Sequence, residues 1–397
     1  MVASLGSAQE WTVASTADFY CLASTADGGR LFGLGGNIYT STNFGNTWSL
    51  TGAPFGYYNS VACSADGSTI IASLGNGAGL YVSTNFGVAW RLAFSSSNWW
   101  SSVACSSDGR SMAATSYYPG AYPGAVYIST NAGADWTLTS APNGGWQHVQ
   151  WSGALAMSGD GSRLAVATSS VEVSTNFGLT WTATYSSGPP MGAPLFFVAS
   201  SGAGTTLIAI SISGWPEYGP GFISTSLDWG ATWRPVGSLT NYLDGNGFSP
   251  AGSCAACSAD GVTLAAIETS STHGVNHLLL STNSGTSWSI TDLPWSTNNC
   301  SIVSSADGSR LAAAFFGPGR VYVRGAIPVP RLMILSGPGS LQLSWLLPSE
   351  PFVLEESSDL PAWSHVAVTP TLNYTNLHYE VNLPAPIAPR FYRLASQ

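Results

Sequence analysis

The chain has 397 residues, 45% of them hydrophobic and 8% charged, with 45 Gly and 23 Pro, so it can bury a large core but not through long uninterrupted helices. Its 11 basic residues are all Arg and face 20 acids, a net charge of -9 that leaves no basic face on which nucleic acid could dock. Aromatics at 12% exclude a disordered chain, and no apolar run reaches the ~18–20 residues of a membrane-spanning helix.

In chain order, the first residues, Met1-Val-Ala-Ser-Leu-Gly, lack the basic and apolar regions of a signal peptide and read as a start after a removed leader, hence a secreted or cell-surface protein. Glu10-Trp-Thr-Val-Ala-Ser15 reads as a strand and parallels Asp135-Trp-Thr-Leu-Thr-Ser140. Two phrases then alternate. One is Ser41-Thr-Asn-Phe-Gly-Asn-Thr-Trp48, repeated from Ser83, Ser129, Ser174, Ser226 and Ser281. The other is of the Ala-Asp-Gly type followed by a short apolar strand, at Asp27, Asp66, Asp108, Asp160, Asp260 and Asp307, with Ala203 in the fifth slot. These slots are 39, 42, 52, 43, 57 and 47 residues apart, so the unit is four short strands with Gly-rich turns, the pattern of a propeller blade. The unit beginning at Asn299 has no box after Val321-Tyr-Val-Arg324, and the N-terminal strand is expected to complete it.

The phrase Ser-x-Asp-x-Gly-x-Thr-Trp resembles the Asp-box, or BNR repeat, of the sialidase-like propellers. Only the fifth copy, with Asp228, has the full pattern; the other five carry Asn. The resemblance implies an all-β, seven-bladed propeller over residues 1–327, with the box as a structural turn opposite the ligand face. After Pro328 the repeat stops, and Leu341-Gln-Leu-Ser-Trp345, Phe352-Val-Leu-Glu355 and Phe391-Tyr-Arg-Leu394 alternate like strands of a small antiparallel sandwich over residues 328–397. That segment resembles the β-modules appended to secreted proteins of environmental bacteria.

Six cysteines (Cys21, Cys63, Cys105, Cys254, Cys257 and Cys300) are read as buried free thiols. Cys254 and Cys257 form a CxxC without the second pair that zinc would need.

The Asp-Gly turns and the boxes fall on the bottom face, which leaves the top to the other loops. Aromatics gather there: Tyr57 and Tyr58, Trp99 and Trp100, Tyr118, Trp146, Trp215, Tyr218, Tyr242 and Trp295. Rings with few charges suit the C–H faces of neutral sugars, so Tyr57, Trp99, Trp100, Tyr118, Trp146, Trp215, Tyr218, Tyr242 and Trp295 are the candidate substrate-binding residues. Of each adjacent pair that precedes an inner strand, one member is expected to pack inward. The top-face acids are Asp18, Glu217, Asp244, Glu268 and Asp292. A glycosidase needs a proton-donating carboxyl and a second carboxylate across the scissile bond, which makes Glu217, Asp244, Glu268 and Asp18 the candidate catalytic residues.

Sialidases hold their substrate's carboxylate with three top-face arginines. Here Arg30, Arg110, Arg163 and Arg310 adjoin bottom turns, and Arg91 and Arg234 follow box tryptophans, leaving Arg320 alone near the top. Anionic sugars are therefore poor substrates. The photosystem-assembly branch of Asp-box propellers, which uses a basic patch, is disfavoured for the same reason. The leading expectation is a monomeric, secreted protein without cofactor that engages neutral polysaccharide or oligosaccharide, with hydrolysis by a carboxylate pair. One alternative is a metal-assisted hydrolase of small esters, lactones or phosphoesters, with a divalent metal on His273, His277 and Glu268 or Asp244. A third reading is a non-enzymatic glycan-binding or adhesion scaffold.

Overall fold

Short apolar runs closed by Gly-containing turns cannot extend into helices, and among the described residues there are none. The computed structural model describes residues 11–75, 79–95, 99–118, 121–141, 154–168, 170–186, 195–211, 222–236, 254–269, 275–294, 300–317, 319–325, 332–337, 339–346, 352–373 and 378–396. The first repeat forms a four-stranded antiparallel sheet of Cys21–Ser24, Leu31–Leu34, Ile38–Ser41 and Ser49–Leu50. Five more such sheets follow in chain order, with inner strands Tyr58–Cys63, Trp99–Cys105, Leu155–Met157, Leu195–Ser200 and Cys254–Cys257. The seventh joins Cys300–Ser304, Leu311–Phe315 and Arg320–Arg324 to Thr12–Ser15, whose Thr12 and Val13 pair with Val323 and Tyr322. This N-terminal strand covers an edge that would otherwise be open.

The seven inner strands line one axial cavity of about 310 Å³. Both faces of the sheets are covered by neighbouring sheets, so second strands such as Leu164–Ala167 are buried along their whole length. Between the seventh and first sheets, for example, Phe19, Leu22, Leu31, Phe44, Ala312, Ala314, Val321 and Val323 form one apolar cluster. Burying each of its large side chains contributes roughly 1.5–3 kcal/mol.

The Asp-Gly turns, between first and second strands, form a belt around the lower end of the axis. Amide N–H groups donate to carbonyls of the next turn: Ala26 to Ala65 (2.8 Å), Ala65 to Ser107 (2.9 Å), Ser107 to Gly159 (2.7 Å) and Gly159 to Gly202 (2.8 Å). The belt continues from Ala203 to Ala259 (2.7 Å) and Ala259 to Ala306 (2.8 Å), and closes from Ala306 to Ala26 (2.6 Å). Small residues are required here. A Cβ on Gly159 would meet Ser107 Oγ at 2.8 Å and the Gly202 carbonyl at 3.0 Å. In the six turns that carry an acid, its carboxylate is held within the turn, as where Asp66 Oδ1 accepts from Ser64 Oγ at 2.6 Å and Ser68 N–H at 2.9 Å.

The Ser-x-Asx turns between third and fourth strands share another geometry. Gly45 N–H donates to Ser41 Oγ (2.9 Å) and Thr47 N–H to Asn43 Oδ1 (2.9 Å). The residue before the Gly has positive φ in all six copies, from 55° at Phe177, Trp229 and Ser284 to 61° at Phe86.

Two further sheets follow: Met333–Gly337, Ser340–Leu346, His378–Pro384 and Thr371–Asn373 in one, and Ser364–His365, Phe352–Ser357 and Phe391–Ser396 in the other. Leu341, Leu343, Trp345 and Val381 of the first share a core with Leu354 of the second. Leu372 and Tyr379 pack against Ala26 and Ala65, and so against the turn belt.

Candidate functional site

With both sets of repeated turns at the bottom, the top face is built from the connections that enter each inner strand and from the hairpins between second and third strands. The described part of this rim is rich in exposed rings. Phe55 is 89% exposed and Tyr57 74%, both on the connection into Tyr58–Cys63. Trp99 and Phe316 are 36% and 38% exposed. Tyr20 stands edge-on to Phe316 with ring centroids 5.6 Å apart, and its hydroxyl donates to the Tyr58 carbonyl at 2.5 Å. Burial of the phenol, and then the neighbouring Cys21, push the Tyr20 pKa upward.

Of each adjacent aromatic pair, one member packs inward. Tyr58 is buried beneath Tyr57 and bonds the Pro54 carbonyl at 2.8 Å. Trp100, expected among the substrate-binding rings, is instead fully buried and lies edge-on to Phe94 and Tyr127 at 5.6 and 5.4 Å. The backbone register slips between Trp100 and Ser102, which sets the alternation at this point. Phe55 and Phe316 were missed from the sequence. For Phe55 the signal is an aromatic set between Pro54 and Gly56; Phe316 is the second member of the pair Phe315-Phe316, whose first member is buried, just before Gly317.

The candidate carboxylates divide. Asp18 Oδ1 accepts the Gly317 N–H at 2.9 Å and so ties the N-terminal connection to the seventh sheet's top hairpin. That is a structural bond beside Tyr20 and Phe316. Glu268 lies in Leu264–Thr269, paired in register with His277, which is itself paired with Asp292. His277 Nδ1 and Asp292 Oδ1 are 3.0 Å apart. A carboxylate holding Nδ1–H orients the imidazole and leaves the Nε2 lone pair for a proton or a ligand. Among the described residues no three of His, Cys, Asp and Glu are placed to hold a metal ion. Glu217, Asp244, Trp146, Trp215, Tyr218, Tyr242, Trp295 and His273 lie outside the described residues. So does the Tyr118 side chain, whose backbone ends the strand Met112–Tyr118.

Arginines are used between the sheets at the bottom. Arg30 lies over Phe86 (4.9 Å), Arg163 over Trp229 (5.8 Å) and Arg310 over Phe44 (4.9 Å), each reaching the next sheet's turn. Arg91 donates to the Ala132 and Gly133 carbonyls at 2.6 and 3.1 Å.

Against known structures, the chain is similar to the GH74 xyloglucanase of Xanthomonas campestris, with a TM-score of 0.58 and 16% identity over 85% of this chain. It spans 60% of that enzyme's length. It is also similar to YCF48 bound to D1 peptide (TM-score 0.55, 16% identity, 80% of this chain and 96% of that one) and to U3-55K (0.58, 13%, 80% and 98%). The chain has a β-propeller fold. Neither a protein-family model nor a curated protein sequence matches it.

Proposed function

We infer that the chain is a secreted, Asp-box-type, seven-bladed propeller over residues 1–327 with a C-terminal sandwich over 328–397, and that its top face engages neutral glycans. The exposure of Phe55 and Tyr57 carries this reading, because large rings left in water on the top face match the stacking faces of a sugar. The propeller fold it has in common with a glycoside hydrolase of family GH74 is consistent with this use. Hydrolysis would draw its carboxylate pair from Glu217, Asp244 and Glu268, since Asp18 is engaged by the Gly317 amide.

The test compares wild type, Phe55→Ala/Tyr57→Ala and Glu217→Gln/Asp244→Asn/Glu268→Gln on neutral polysaccharides, xyloglucan included, following binding and released reducing ends. The expected outcome is binding weakened at least tenfold in the aromatic variant and product release lost, with binding kept, in the carboxylate variant. No binding of any neutral glycan by wild type would overturn the reading.

The His277–Asp292 contact favours a second reading, general-base or metal-assisted hydrolysis of a small ester, lactone or phosphoester. It expects turnover of such substrates that is lost in His277→Ala.

A further inference from the structure

Cys254 opens the inner strand of the sixth sheet and Cys300 opens that of the seventh. The two strands are neighbours around the axis and both run from top to bottom, so their first residues face each other across the seam between sheets. The two thiols are free in the structure, and their sulfurs are 2.6 Å apart, well inside the contact distance of unbonded sulfurs. Cys254 is 1% exposed and Cys300 8%, among Ile267, Leu278, Leu293, Ile302 and Phe315. The other thiols are placed differently. Cys63 Sγ donates to the Ser24 carbonyl at 3.4 Å and Cys105 Sγ to that of Ser106 at 3.5 Å. The CxxC spacing misleads, because Cys254 and Cys257 are at opposite ends of one strand and the partner of Cys254 lies 46 residues away.

We propose that Cys254 and Cys300 are a disulfide-forming pair, which staples the innermost strands of the sixth and seventh sheets. The oxidant is a small-molecule disulfide such as oxidised glutathione. One cysteine thiolate attacks it, forming a mixed disulfide and releasing one glutathione. The second thiolate then attacks the cysteine sulfur of that mixed disulfide and releases the other. Two S–H bonds and one S–S bond are broken; one protein S–S bond and two glutathione thiols are formed, and the two protons end on the glutathiones. Burial pushes the Cys254 thiol up, so the thiolate that the exchange needs is more available while the chain is open than in the packed cluster. The loop so closed contains the whole sixth sheet, including His277 and Asp292. A staple there constrains the unfolded chain and holds the sheet that carries this pair against its neighbour.

The test folds the full chain in a buffer of oxidised and reduced glutathione, denatures it in excess N-ethylmaleimide, counts labelled thiols by intact mass and maps linked peptides without reduction. The expected result is four labelled thiols of six and a peptide joining Cys254 to Cys300. Reduction should lower Tm by roughly 3–5 °C in wild type and leave Cys254→Ala and Cys300→Ala unchanged. Cys21 begins the first sheet's inner strand and interacts electrostatically with Cys254. Six labelled thiols in the wild-type chain, or a linked peptide running through Cys21, would overturn the proposal.

Discussion

The guanidinium of Arg310 lies 4.9 Å from the ring centre of Phe44, across the seam where the two ends of the repeat array meet. Arg310 is 1% exposed, and its Nη1 donates to the Asp27 carbonyl at 3.0 Å, so one side chain grips both a ring and a turn of the first sheet. Burial lowers its pKa to about 10 against the upward pull of Asp27 and Asp307, and it remains charged at neutral pH. Arg310→Ala is expected to lower the unfolding free energy by about 3 kcal/mol through lost packing and an abandoned carbonyl. Arg310→Lys should recover less than half of that, because an ammonium has no plane to lie on Phe44. Urea unfolding of the two variants measures both.

The fifth box replaces Asn with Asp228 yet keeps the same turn: Gly230 N–H donates to Ser226 Oγ at 2.7 Å and Thr232 N–H to Asp228 Oδ1 at 2.8 Å. Hydrogen bonds from Thr232, side chain then backbone, and from Ser226 hold the Asp228 pKa below its usual value. A depressed carboxylate contributes stability above its unfolded pKa and loses it as pH falls through the folded one. Asp228→Asn is therefore expected to match wild type at pH 7 and to be less sensitive to acid, whereas Asp228→Ala, which has no oxygen for Thr232, is less stable at both. Thermal melts at pH 7 and pH 3 separate charge from turn geometry.

The repeat made the sheets and bottom turns legible, because Ser-x-Asx-x-Gly and Asp-Gly fix local backbone whatever surrounds them. Features that depend on distant pairing were not legible. Nothing near Asp18 announces that its carboxylate bonds Gly317, 299 residues away. Alternation alone could not say which of Trp99 and Trp100 faces out, because the register slips just after them. At Tyr58 a second slip precedes Ser60. The exposed Phe55 lies in no strand and is visible only as a ring in a Pro-Gly turn, whereas Phe316 is the outward member of a pair whose other member, Phe315, packs inward.

Stability should fall on the alkaline side. Burial raises the Cys21 thiol from 9.0 to about 11, and Cys63 and Cys257 to about 12. The buried phenols of Tyr20 and Tyr58 are raised as well. Groups with raised folded pKa hold protons that the unfolded chain gives up, so their contribution is complete below pH 9 and is lost as pH climbs towards 11–12. Burial lowers the Arg310 pKa to about 10 and that of Arg324 as well, so both oppose this, but they are two groups against five. Each thiol adds up to about 1.4 kcal/mol per pH unit to the slope. Urea midpoints at pH 8, 9, 10 and 11 should decline steadily from pH 9, and less steeply in Cys63→Ala. A midpoint unchanged through pH 11 would show that these thiols are not buried.

Trp99 and Trp100 are adjacent in sequence and opposite in consequence. Trp100 is enclosed by Phe94 and Tyr127, and its replacement by Ala leaves a cavity between the second and third sheets. That loss should cost about 3–5 kcal/mol. Trp99 is 36% exposed, so Trp99→Ala should change stability by less than about 1 kcal/mol. If the rim binds neutral glycan as proposed, the same substitution removes a stacking surface worth about 1–2 kcal/mol, a 5- to 30-fold rise in Kd. Unfolding and glycan titration on both variants give a crossed result: Trp100→Ala loses stability, and Trp99→Ala loses affinity. Equal loss of affinity in two variants of equal stability would remove the rim from the binding site, because a ring sealed in the core cannot touch a sugar.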